Sequence, residues 1–190
     1  MTEEERIVFV DESGQPTGET GPKLASHHMK TRLHLAFSCY IFNDKGQFLV
    51  TQRALSKKVW PGVLTNSVCG HPAPGEPQQD AISRRAAHEL GLTDLTDLTC
   101  VVPDYIYKTP AMNGVIEHEF CPIYVSRTTT DPALNFEEVA NYKWLNWEVY
   151  KTELRERAAE YSYWAKDQLQ HLENSSAFNT WLKQLNEAAI

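Results

Sequence analysis

Glu117-His118-Glu119 leads into an apolar run from Phe120 to Val125. In an extended segment residues two apart share a face, so Glu117 and Glu119 would converge on one spot. Three histidines stand where they could join them: His27 and His34 lie on the approach to the first apolar run, and His71 follows Cys69 by two positions. Imidazole nitrogens suit a borderline transition metal, and three His with two Glu make an octahedral donor set. Taken singly, each residue is more often a hydrogen-bonded structural side chain than a ligand, so their number carries the reading. Cys69 sits in Thr65-Asn66-Ser67-Val68-Cys69-Gly70-His71-Pro72. A free cysteine usually behaves as a small buried hydrophobe, but beside a cationic site its proton affinity is open to tuning.

A second constellation starts at Gly70-His71-Pro72-Ala73-Pro74-Gly75-Glu76 and resumes seven residues later as Arg84-Arg85-Ala86-Ala87-His88-Glu89-Leu90-Gly91-Leu92. It resembles the Nudix box, a loop-helix-loop. In Nudix hydrolases the helix presents a Glu-x-x-Glu-Glu cluster whose oxygens gather magnesium on a diphosphate. Here Arg85 and His88 stand in place of two of those acids and Glu89 remains, which compromises ordinary Nudix hydrolysis. Outside the box spacing, Glu89 would read as a solvated partner of Arg85 one helical turn away.

Thr31-Arg32-Leu33-His34-Leu35-Ala36-Phe37, Arg53-Ala54-Leu55-Ser56-Lys57-Lys58, Trp60-Pro61-Gly62 and the segment around Cys69 resemble, in that order, the type I isopentenyl-diphosphate isomerase family. The similarity runs from about Arg6 through Glu119 and more weakly to Trp164. It implies reversible conversion of isopentenyl diphosphate to dimethylallyl diphosphate through a tertiary carbocation, with Cys69 and Glu119 as the acid-base pair. By the same resemblance Tyr107 holds a proton-transfer group in register, and Trp164 offers its face to the cation. Tyr163 precedes that tryptophan where the family has proline. The resemblance places one divalent ion (Mn2+, Mg2+ or Zn2+) on His27, His34, His71, Glu117 and Glu119, with His28 competing for the place of His27. A Mg2+ arriving with the diphosphate would be held by Glu89 and the backbone near Cys69. Lys23, Arg53, Lys57 and Arg85 would meet the phosphate oxygens, Arg85 clamping them without promoting hydrolysis. The rival readings are a Nudix pyrophosphohydrolase and a noncatalytic module fastened by metal.

The elements that must position these residues follow from local pattern. The run Leu35 to Phe42 reads as a buried strand, Asn43-Asp44-Lys45-Gly46 as a turn, and Gln47 to Arg53 as the returning strand. Pro77 suits the first turn of a helix, Asp80 its positive end, and Gly91 a left-handed cap, with Ile82, Ala86 and Leu90 facing the core. Phe120 to Val125 reads as a further strand, and from Trp147 onward the composition is helical. The expected class is α+β, an α/β/α sandwich-like, Nudix-type mixed sheet flanked by helices. One domain is expected over 1–190, with a core at about 33–147 and a helical part at about 148–190.

With 190 residues and 42% hydrophobic content the chain has ample material for a core. A net charge of -7 argues against a nucleic-acid or anionic-membrane surface, so any anion must meet a local pocket. The acidic start from Met1 to Arg6 does not read as an export signal and no apolar run is long enough to span a bilayer, which points to a cytoplasmic protein. Cys39, Cys69, Cys100 and Cys121 are too sparse for a disulfide framework and read as reduced thiols. A monomer is the expected state.

Overall fold

The structure, a computed structural model, describes residues 5–110 and 112–188; the first four residues of the acidic start lie outside them. Five strands form one sheet in the order β2 (Pro16–Pro22), β1 (Arg6–Val10), β3 (His34–Leu35), β10 (His118–Phe120) and β9 (Ile106–Lys108). A second sheet runs β12 (Val139–Asn146), β5 (Gln47–Arg53), β4 (Phe37–Phe42), β11 (Ile123–Arg127) and β8 (Thr96–Val102). The short strands β6 (Leu64–Thr65) and β7 (Val68–Gly70) pair with β5 and β4. The helices are α1 (Lys23–Ser26), α2 (Gln78–Leu90), α3 (Trp147–Glu156), α4 (Tyr163–Asn174) and α5 (Ser176–Ala188). Among the described residues no helix is long and apolar enough to cross a membrane.

The second sheet is buried on both faces, which is why β4 reads as a continuous apolar run. Its Phe37, Cys39 and Ile41 pack with Ile82, Ala86 and Leu90 of α2, whereas Tyr40 and Phe42 pack with Trp147, Trp164, Leu169 and Phe178 of α3, α4 and α5. The strand period of two thus sorts one segment between two helical layers, as the expected sandwich requires.

Two expected strands are each divided between the sheets. The run Leu35 to Phe42 breaks at Ala36, and Phe120 to Val125 breaks at Cys121-Pro122. The breaks are coupled, because β3–β4 and β10–β11 run parallel side by side. Ala36 N donates to Phe120 O at 2.9 Å and Ser38 N to Pro122 O at 3.1 Å, while Cys121 N turns to Tyr105 O at 2.8 Å. Pro122 has no N–H to donate, so pairing continues past the break with different neighbours on each side.

The expected hairpin forms at its turn, where Gly46 has φ 71 and Phe42 pairs with Phe48. Beyond that pair β4 and β5 splay apart and admit Thr65-Asn66-Ser67. Ser67 Oγ accepts from Ile41 N and donates to Leu49 O, and Thr51 Oγ1 donates to Asn66 O. Side-chain hydroxyls thereby replace ladder bonds that the splayed strands no longer exchange.

Helix α2 ends as its sequence predicts. Gly91 is left-handed at φ 66, and its N–H and that of Leu92 close onto the carbonyls of Ala87 and Ala86. A Cβ here would stand 2.9 Å from both Cβ and O of Ala133. Gly91→Ala is therefore expected to destabilise the protein by at least about 1–2 kcal/mol, a fall of roughly 2–8 °C in Tm. A melting curve matching the wild type would show that this cap does not fix the helix.

Candidate active site

The coupled breaks set the register of the site. In the first sheet His34 lies opposite Glu119, and Glu119 opposite Tyr107. Just past the break, in the second sheet, Ser38 lies opposite Cys69. A cleft of about 930 Å³ is lined by His27, Cys69, His71, Glu117, Glu119 and Trp164, among others. His34 is fully buried against it.

His27, His34, His71 and Glu119 each offer one ligand atom, and these atoms lie within 4.8 Å of one another. Two of the imidazoles are aimed from behind: His27 Nδ1 lies 2.6 Å from Lys23 O, and His34 Nδ1 lies 2.9 Å from Arg32 O. A carbonyl only accepts, so Nδ1 carries the hydrogen in both rings and Nε2 keeps its lone pair. Backbone carbonyls orienting the far side of a histidine are the usual support of a metal ligand. His34 Nε2 is 3.1 Å from His71 Nε2, which in turn is 3.1 Å from Glu119 Oε1. Burial pushes His71 down to about 3, so the ring is neutral. Three imidazoles and a carboxylate gathered this closely fit a divalent cation. His28 is exposed and its Nδ1 accepts from Lys30 N, which leaves His27 as the histidine of the cluster.

Glu117 stands just outside this group. Tyr107 Oη is 2.8 Å from Glu119 Oε2, to which it donates, and 3.3 Å from Glu117 Oε2. Burial, followed by the charge of Glu119, pushes Glu117 up to about 7. Burial opposes the charge of Glu119 as well, but the imidazoles of His34 and His71 beside it outweigh that and hold the carboxyl well below the usual range. Two neighbouring acids are thus driven apart in proton affinity.

Burial pushes the Cys69 thiol up to about 12, so it is protonated. Its S–H donates to Asn66 Oδ1 at 3.1 Å. Asn66 is fully buried, and its orientation is fixed because Nδ2 donates to the carbonyls of Cys39 and Val68. The same Oδ1 accepts from Trp164 Nε1 at 3.0 Å, tying the indole and the thiol to one atom. Tyr163 is the first residue of α4, where the N–H has no partner within the helix. Proline and tyrosine are equivalent for the backbone there, and Trp164 keeps its place beside the cleft.

The four expected basic residues line the cleft as well, each already engaged. Lys23 pairs with Glu5 at 2.7 Å and Lys57 with Glu138 at 2.5 Å. Arg53 donates to the carbonyls of Val59 and Trp60, with its guanidinium 5.7 Å from the centre of the Trp164 ring. Arg85 is shared among Glu89, Glu138 and Glu5. Glu89 lies in the cleft under Arg85, its carboxyl pushed up by burial, while His88 is exposed. Sequence reasoning passed over Glu138, which gathers Lys57 and Arg85 from outside the box, and no spacing signals it. It also passed over Ser38 and Asn66, although Asn66 belongs to the segment that carries Cys69.

A NUDIX domain model matches residues 32–165. The isopentenyl-diphosphate Delta-isomerase of Saccharopolyspora erythraea is 47% identical over 168 residues, covering 88% of this chain and 86% of that one. The enzyme of the same description from Salmonella heidelberg is 52% identical over 141 residues, covering 74% and 77%. A crystal structure of a Deinococcus radiodurans protein superposes with a TM-score of 0.67 over 88% of this chain, and at 20% identity it speaks for the fold alone. With close identity over most of both chains, the protein belongs to the Nudix-domain family and, within it, to the isopentenyl-diphosphate Delta-isomerases.

Proposed function

We propose that the cleft interconverts isopentenyl diphosphate and dimethylallyl diphosphate with Cys69 and Glu119 as its two proton-transfer groups. The observation that carries this reading is that the half-buried Cys69 thiol and the buried Glu119 carboxylate line the same cleft, with proton affinity pushed up in the first and down in the second. One group protonates the terminal alkene carbon, leaving a tertiary cation, and the other removes a proton from the carbon nearer the diphosphate. One proton enters and one leaves, so no redox partner is needed and the pair serves both directions. Tyr107 donates to Glu119 and holds its carboxylate in register.

The cation requires a pocket without a competing nucleophile, and an aromatic face lowers its energy by about 2 kcal/mol where water is excluded. Trp164, 3% exposed and fixed through Asn66, is that face. Lys23, Lys57 and Arg85 receive the diphosphate by exchanging carboxylate partners for phosphate oxygens, and Arg53 by exchanging the carbonyls of Val59 and Trp60. Glu89 and the backbone near Cys69 would hold a Mg2+ that comes with it. A divalent ion on His27, His34, His71 and Glu119, joined by Glu117, would supply positive charge that keeps Glu119 ionised and its carboxylate aimed. Three imidazoles favour Mn2+ or Zn2+ over Mg2+ for that place. The two acids missing from the box, at Arg85 and His88, speak against hydrolysis of the diphosphate.

Incubation of isopentenyl diphosphate with metal-replete protein in deuterium oxide is expected to give deuterated dimethylallyl diphosphate by proton NMR, and none with Cys69→Ala. Turnover by Cys69→Ala at the wild-type rate would remove the thiol from the reaction, and free phosphate in place of the isomer would establish a hydrolase. Trp164→Leu, which keeps bulk without a ring, should lower kcat by roughly thirtyfold, the equivalent of about 2 kcal/mol. Trp164→Phe should lower it less. Equal rates for the two variants would remove the cation-facing role.

A further inference from the structure

The Cys69 sulfur has a second polar neighbour besides Asn66. Ser38 Oγ lies 3.3 Å from Cys69 Sγ and 3.5 Å from Cys121 Sγ, and Ser38 is 1% exposed. Asn66 Oδ1 already takes the Cys69 S–H, so the sulfur presents only lone pairs to Ser38. The serine hydroxyl is fixed from behind by Gln168 of α4, whose Nε2 donates to Ser38 Oγ at 2.8 Å. Gln168 is itself fully buried and held by Tyr40, whose hydroxyl donates to Gln168 Oε1 at 3.0 Å. With that amide anchored, Ser38 accepts from Gln168, and its one hydrogen is left for a sulfur, of which Cys69 at 3.3 Å is nearer than Cys121 at 3.5 Å.

We propose that Gln168, acting through Ser38, is a positioning residue for Cys69: the chain Tyr40–Gln168–Ser38 aims a hydroxyl at the sulfur and fixes the direction in which the thiol presents its proton. Gln168 lies one helical turn beyond Trp164 on the same helix, and the two residues reach the sulfur from two sides, one through Asn66 and one through Ser38. Helix α4 thereby places both the cation-facing ring and the thiol. Gln168 falls outside residues 32–165, the span matched by the family model, so the fold's common core does not supply this support. A buried amide with both ends bonded is costly to leave half-satisfied, which makes the chain rigid.

The inference rests on Cys69 being a proton-transfer group, so its test pairs turnover with a readout that does not depend on turnover. The variants are Ser38→Ala, Gln168→Met, which keeps the volume of the side chain, and the double variant. The infrared S–H band of Cys69 is isolated in each by subtracting the spectrum of its Cys69→Ala counterpart. Both single substitutions are expected to shift that band, and the double variant to leave it where Ser38→Ala does. In turnover kcat should fall by roughly ten- to a hundredfold with KM little changed, and the double variant should be no slower than Ser38→Ala alone. Tyr40→Phe, which releases the Gln168 oxygen without emptying the core, should act in the same direction and serves if Gln168→Met does not fold. An unmoved band in Gln168→Met, or losses that multiply in the double variant, would overturn the proposal. A shifted band with kcat unchanged in every variant, Cys69→Ala included, would leave the geometry standing and overturn the role of Cys69 instead.

Discussion

The ligand atoms of His27, His34, His71 and Glu119 meet in a buried space that fits a divalent cation, and the surrounding fold is arranged to make them meet. Each donor comes from a different segment: the turn after α1, β3, the loop after β7, and β10. Register between parallel strands sets His34 against Glu119, and the shared break at Ala36 and Pro122 then passes both chains into the second sheet. Ser38 and Cys69 follow one step beyond. A site that needs a thiol beside such a cluster is therefore built where two sheets share strands, a place a single continuous sheet does not offer.

Charge is arranged with the same economy. The chain is acidic overall, yet its cleft presents lysines and arginines to an anion. Lys23, Lys57 and Arg85 are held by Glu5, Glu89 and Glu138, carboxylates whose place phosphate oxygens would take in the proposed complex. The Arg85–Glu89 pair shows why the box differs from a hydrolytic one. Two positions that would carry negative charge toward a magnesium hold a guanidinium and an exposed imidazole, so in the proposed complex less metal would gather on the phosphates and more direct positive charge would meet them.

Much of this was legible in the sequence because it is local. The turn at Asn43–Gly46, the cap at Gly91 and the buried stripe of Ile82, Ala86 and Leu90 are set by neighbours a few residues apart. A mixed sheet flanked by helices also follows from the pattern, though its division into two sheets does not. The division of the strands at Ala36 and at Pro122 did not show, because an apolar run buried on both faces looks the same whether or not its hydrogen-bond partners change midway. The choice of His27 over His28 depends on a four-residue helix whose Lys23 carbonyl receives the ring, and adjacency alone does not decide it. Ser38, Glu138 and Gln168 were invisible for another reason: each acquires its meaning only from a partner 31, 53 or 130 positions away.

The convergence at the sheet junction is tested most directly by titrating chelator-stripped protein with Mn2+, followed by electron paramagnetic resonance, and with Zn2+, followed by calorimetry. One tight site per chain is predicted without substrate, lost in His71→Ala and in Glu119→Gln and retained in Glu89→Gln, whose carboxylate belongs to the diphosphate end of the cleft. A tight site that survives both of the first two substitutions, or wild-type protein that binds neither ion, would contradict it.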